Sequence, residues 1–195
     1  MPALQRVVEI DGIPIHYLDA GGGPAILFLH GAGGAPPAGA SFVSMLAARH
    51  RVLLPSRPGF DETRLGSCRS VEDVVRVVAG FVRAVADGPV HVVAQSAGGA
   101  VGSWLAILEP QLVQSLILSA PAAFAPHGTR PPPREQLEEI LYGPNPAWSA
   151  PPTDADRQRI ARNAAGNIGR WTDADAARLL PRLGEIAAPA LLLWA

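Results

Sequence analysis

Apolar residues in this chain come in short runs broken by glycine, proline and charge, and the spacing inside each run predicts its conformation. Leu4–Ile10 and Ile13–Ala20 read as two short strands around Asp11-Gly12, a dipeptide favoured in tight hairpin turns. Gly21-Gly22-Gly23-Pro24 breaks the chain. Ala25–Leu29 is a continuous apolar run, the pattern of a strand covered on both faces, and it ends in the glycine-rich loop His30–Gly34. Ser41–Arg49 reads as a short amphipathic helix. Arg51–Leu54 reads as another buried strand, stopped by Pro55. The clearest helix follows Ser70, a good N-cap, with Asp73 three residues on in the manner of a capping box. Val71, Val74, Val75, Val78, Phe81, Val82 and Val85 then recur at helical spacing until Asp87-Gly88-Pro89. Val90–Gln95 reads as a strand, Ala97–Leu108 as a helix closed before Pro110, and Val113–Ser119 as a strand.

Strands and helices alternating at such short intervals predict the α/β class: a doubly wound, mostly parallel sheet with an N-terminal hairpin. From Pro121 the pattern changes. Proline clusters (Pro131–Pro133, Pro151-Pro152), the aromatic anchors Tyr142, Trp148 and Trp171, and helical stretches near Asp154–Asn167 and Asp173–Arg182 suggest an inserted helical lid. Ala190–Trp194 returns to the strand pattern. The predicted organisation is a core over 1–120, a lid over 121–188 and a returning core strand over 189–195, with no internal repeat.

Composition narrows the function classes. The 195 residues are 48% hydrophobic and 17% charged, which excludes intrinsic disorder and supports a substantial core. Sixteen arginines and no lysine stand against 17 acidic residues, so there is no basic excess to grip a phosphate backbone, and nucleic acid is not the expected partner. Cys68 is alone, which rules out an intrachain disulfide. Met1–Glu9 lacks the layout of a signal peptide, and no apolar run reaches the roughly 18 residues of a membrane span. The expectation is a soluble, cytoplasmic protein acting on a small molecule, away from membranes, with its oligomeric state open. No metal-ligand cluster is visible, and no cofactor is called for.

The chemistry concentrates at Ala94-Gln95-Ser96-Ala97-Gly98-Gly99, where a buried strand turns into a helix. A serine on so sharp a turn projects its hydroxyl out of the sheet, and its neighbours must be small. The start of the next helix offers free N–H groups and a positive dipole end, suited to a developing oxyanion. The plain alternative is an ordinary serine in a strand–helix loop. The motif resembles the G-x-S-x-G nucleophile elbow of the α/β-hydrolase family, with Ala94 in place of the first glycine. His30-Gly31-Ala32-Gly33-Gly34 is similar to that family's His-Gly oxyanion loop. Arg57-Pro58-Gly59-Phe60 resembles its Arg-Pro-Gly turn, with Ser56 where aspartate is usual and Asp61 where glycine is usual. Ile15-His16-Tyr17 resembles its opening strands. The resemblance implies a serine hydrolase acting on an ester, an amide or an activated C–C bond of a small, largely apolar substrate. In it Ser96 is the nucleophile, the backbone N–H groups of Ala32 and Ala97 form the oxyanion hole, and His30 shapes the loop instead of acting as base. Trp104, Phe124, Tyr142, Trp148 and Trp171 are candidate pocket walls, each equally at home in a core.

A serine hydroxyl needs a base, and the base an orienting carboxylate. The family order is Ser, then Asp or Glu, then His, with the acid after the strand that follows the lid. That strand is Ala190–Trp194, so both usual positions lie past Ala195, and Ser119–Ala123 holds no carboxylate. His127 reads as a solvated loop residue. His16, His50 and His91 sit on or beside early strands, and Asp154, Asp156, Asp173 and Asp175 suit helix starts. The expectation is a truncated hydrolase with little or no turnover, and with an apolar strand left bare at the sheet edge. Two alternatives are a non-catalytic relative that binds a ligand or partner, and a partner chain that completes the sheet. An Asp-nucleophile dehalogenase does not fit Ser96. A dinucleotide-binding domain does not fit His30–Gly34, which lacks the Gly-x-Gly-x-x-Gly spacing.

Overall fold

The computed structural model describes residues 3–37, 40–124, 153–164 and 173–194. Its strands are β1 (Leu4–Ile10), β2 (Ile13–Gly21), β3 (Ala25–Leu29), β4 (Arg51–Pro55), β5 (Val90–Gln95), β6 (Val113–Ser119) and β7 (Ala190–Leu193). They form one sheet in the order β1-β2-β4-β3-β5-β6-β7. β1 pairs antiparallel with β2, and β2 antiparallel with β4, while β4-β3-β5-β6-β7 run parallel. This is the α/β sheet with an N-terminal hairpin that the hydrophobic pattern predicts. At the antiparallel joint, Arg51 donates Nε and Nη2 to the two Asp19 oxygens at 3.0 and 2.9 Å. The Arg51 hydrogen bond holds the Asp19 carboxyl below the usual carboxylate range.

The helices are α1 (Ser41–Ala47), α2 (Val71–Val85), α3 (Ala97–Leu108), α4 (Asp154–Ala164) and α5 (Asp173–Leu179). Side-chain alternation along the strands divides the core in two. Leu27, Leu29, Leu53, Val92, Ala94, Leu116 and Leu118 pack on the side holding Val74, Val78, Phe81, Trp104 and Leu105 of α2 and α3. Phe28, Val52 and Leu54 pack on the other, with Val43 of α1. Burying each large apolar side chain contributes on the order of 1.5–3 kcal/mol, so both faces of the central strands stabilise the fold. The α2 start has the predicted reciprocal cap: Asp73 N donates to Ser70 Oγ and Ser70 N to Asp73 Oδ2, at 3.2 and 3.0 Å.

Some boundaries differ from the sequence reading. α1 stops at Ala47 instead of Arg49, as Arg49 N turns back only three residues, to Leu46 O, in a tighter closing turn. Helix is predicted over Asp173–Arg182, yet α5 ends at Leu179 and a 3₁₀ turn, Leu180–Glu185, takes over. Pro181 has no N–H to continue the α-helical ladder. The predicted extension of α4 to Asn167, and Pro131–Pro133, Tyr142, Trp148, Pro151-Pro152, Trp171 and His127, lie outside the described residues.

Candidate active site

β5 delivers Ser96 at φ 50°, ψ −120°, a backbone conformation that side-chain-bearing residues rarely adopt. Three backbone hydrogen bonds hold it. Ser96 N donates to Ser119 O at 2.9 Å, while Ser96 O accepts from Gly99 N at 2.8 Å and from Ala122 N at 3.1 Å. The bend therefore hangs on the end of the neighbouring strand β6. Small residues are needed beyond it: a Cβ on Gly98 would lie 2.3 Å from Leu29 O. Ser96 is half-buried, with Gln95 exposed beside it and Ala97 buried behind it. Ala97 opens α3, so its N–H has no acceptor within the helix.

The second strand end reaches the same place. β3 runs parallel to β5 with Leu29 opposite Ala94, and the loop after β3 crosses above Ser96. A Cβ on Gly31 would sit 3.2 Å from Ser96 Cβ and 3.7 Å from Ser96 Oγ. Ala32 follows directly and is exposed. The loop at 30–34 and the bend at 96–99 are thus brought together, as the motifs require.

His30 is fully buried under this loop. Its Nδ1 meets Gly31 O at 2.8 Å, and its Nε2 accepts from Arg57 N at 3.1 Å. That pattern requires the proton on Nδ1, and it leaves neither nitrogen for Ser96. Burial, helped by the nearby Arg57 charge, pushes the imidazole well below its ordinary value. Arg57 is also buried; its Nη2 donates to Gly31 O at 3.2 Å and its guanidinium lies 4.4 Å from the Phe60 ring centroid. Its Nε has no partner, and burial lowers its pKa to about 9, so it stays cationic at neutral pH.

Among the described residues no histidine nitrogen or carboxylate is hydrogen-bonded to Ser96 Oγ. His16 faces Glu62 at 3.7 Å and His91 meets Ser115 Oγ at 2.8 Å. Asp156 caps α4, accepting from Thr153 N at 3.0 Å. Trp104 is buried in the core beside the Arg178 and Arg182 guanidiniums. Among the described residues, no group of His, Cys, Asp and Glu could hold a metal ion, and no helix is long and apolar enough to cross a membrane.

Sequence reading misses one set of residues. Asp61, noted only as a departure from the Arg-Pro-Gly turn, joins Asn163 and Arg159 of α4 in a network on the loop at 33–35. Its one local signal is the aspartate at a glycine position. The partners lie about a hundred residues away, and nothing in the sequence pairs them.

The chain is similar to known proteins in sequence and fold. A family model described as "alpha/beta hydrolase fold" matches residues 24–148. A 2-hydroxy-6-oxo-6-phenylhexa-2,4-dienoate hydrolase of Burkholderia cepacia is 32% identical over 92% of this chain and 73% of its own length. A 2-hydroxy-6-oxo-6-(2'-aminophenyl)hexa-2,4-dienoic acid hydrolase of Metapseudomonas resinovorans is 32% identical over 61% of this chain, a match spanning 43% of that relative. Among solved structures, the meta-cleavage product hydrolase CumD superposes with a TM-score of 0.71 at 18% identity, over 96% of this chain and 78% of that one.

Proposed function

The chain belongs to the α/β-hydrolase fold family, and on that premise we propose that it is a serine hydrolase of the kind that cleaves meta-cleavage products, using Ser96 on a small, ring-bearing keto acid. The supporting observation is the strained Ser96 bend with the glycine-rich loop stacked on it. In this reading Ser96 Oγ adds to the carbonyl carbon as its proton passes to a general base. The carbonyl electrons move onto oxygen, which the N–H groups of Ala32 and Ala97 hold. The activated C–C bond then breaks, its electron pair leaving with the departing carbon, which takes up a proton. Water releases the acyl group as a carboxylic acid and restores the hydroxyl. Two backbone donors suit this chemistry because main-chain N–H groups need little reorganisation as the negative charge builds. In this reading α4 and α5 belong to the lid, and α4 meets the glycine-rich loop through Arg159 and Asn163.

A fluorophosphonate probe tests the reading. Native protein should be labelled on Ser96, and Ser96→Ala should not. Whatever turnover of a 6-oxo-dienoate the native protein shows should be lost in the same variant. Absence of labelling in the native protein would overturn the reading. It would favour instead a ligand-binding relative without turnover, which accords with Ser96 Oγ having no base among the described residues. Such a protein would still be stabilised by the substrate or its product in a thermal melt.

A further inference from the structure

Asp61 occupies the left-handed region at φ 49°, a conformation that glycine adopts freely and aspartate adopts only at a cost. What it gains is a set of partners on three segments. Its carboxylate accepts from Ala35 N at 2.9 Å and from Asn163 Nδ2 at 3.0 Å, and it lies 3.4 Å from Ser56 Oγ and 3.6 Å from Arg159 Nη1. Its own N–H donates to Asn163 Oδ1 at 2.8 Å. Asn163 is 3% exposed, and the remaining hydrogen of its amide reaches Gly33 O at 3.2 Å. Arg159 Nη1 donates to Ala35 O at 2.7 Å. Every one of these contacts bears on the loop at 33–35 or on the residue that grips it.

A loop built from His30-Gly31-Ala32-Gly33-Gly34 has little conformational preference of its own, and glycine pays the largest entropy on ordering. It must be held from outside to keep an amide aimed at a fixed point. The side chains that hold it from beyond the Arg-Pro-Gly turn come from α4. We propose that Asp61 and Asn163 are positioning residues: they fix Gly33–Ala35, and through it the Ala32 amide, over Ser96 only while α4 is seated. The inference rests on the reading of Ala32 as an oxyanion donor. It adds that docking of α4 and formation of the oxyanion hole are one event.

The test combines amide hydrogen exchange with fluorophosphonate labelling of Ser96. In Asn163→Ala, exchange at 31–36 and at 154–164 should rise together by at least tenfold, with α3 unchanged. Labelling should slow by tenfold at saturating probe with little change in probe affinity. Asp61→Gly relieves the backbone strain, so it folds, and it should open the same two segments. Asn163→Asp sets two carboxylates face to face and should open them as well. Adding Asp61→Asn to it restores an amide–carboxylate pair and should recover part of the protection. Unchanged exchange at 31–36 in both Asn163→Ala and Asp61→Gly would overturn the proposal, as would no recovery in the double variant. If the native protein is not labelled at all, the Ser96 reading fails alone, and the exchange measurements still decide the coupling.

Discussion

His30 and Arg57 show how single residues set the site's conditions. A neutral imidazole with both nitrogens bonded supports the glycine-rich loop from below, and protonating it would place a second cation beside the buried Arg57. The folded state therefore holds His30 deprotonated at pH values where the unfolded chain binds a proton. Stability from this residue is complete above the ordinary histidine value of about 6.5 and declines as pH falls below it, by up to about 1.4 kcal/mol per pH unit. Urea midpoints at pH 8, 6 and 5 should fall accordingly, and His30→Gln should flatten the slope between pH 6.5 and 5 while lowering the midpoint at pH 8. An unchanged slope would show that other groups dominate. At this scale the bend at Ser96 was legible because a sharp turn demands small neighbours, and that demand is written in adjacent residues. The roles of Asp61 and Asn163 were not, since a hydrogen bond between side chains 102 apart leaves no periodic trace.

The elements were legible in proportion to how local their causes are. α2 starts at Ser70 because two side chain–backbone bonds close within three residues. Ser70→Ala should cost about 1 kcal/mol in chemical denaturation. Hydrogen bonds from Arg69 N, Arg76 and Ser70 hold the Asp73 carboxyl down to about 2. Its contribution is thus present above the unfolded carboxylate value of about 3.9 and is lost as pH falls through the range down to 2. Asp73→Asn should remove part of the acid-induced loss of α2 helicity below pH 4, followed by circular dichroism. The early end of α5 at Leu179 follows from Pro181, a breaker visible in the sequence but outweighed there by the surrounding helical pattern. α3 bears on the site through packing. A Cβ on Gly102 would lie 2.8 Å from the Ala94 Cβ, so the alanine that stands in for the usual first elbow glycine is accommodated by a glycine one helical turn beyond the bend. Gly102→Ala should cost on the order of 1–3 kcal/mol and reduce Ser96 labelling, whereas Gly88→Ala, with open space around it, should do neither.

For the molecule as a whole, β5 lies near the middle of the sheet and β7 at its margin. Leu191, Leu192 and Leu193 are about half exposed, and Trp194 is 59% exposed. On the α1 side, Leu193 lines an apolar trough of about 270 Å³ with Phe28, Phe42, Val93 and Ile117. Among the described residues β7 ends the sheet, and a marginal strand with exposed leucines invites pairing with another strand. This chain should self-associate with rising concentration in light scattering, and Leu191→Lys with Leu193→Lys should suppress that. Equal scattering by the two proteins would show that the strand is not the contact. The sheet order was only partly legible, as the class follows from alternation but the pairing of β2 with β4 does not. The helix-opening N–H of Ala97 has its own bearing on how the proposed site can be dissected. Two of the three groups assigned to the reaction are peptide nitrogens, which every residue but proline retains. A survey of side-chain replacements would pass over them and credit the serine alone. Swapping the peptide link for an ester at 32 and 97 is the chemical incision that exposes what the main chain does.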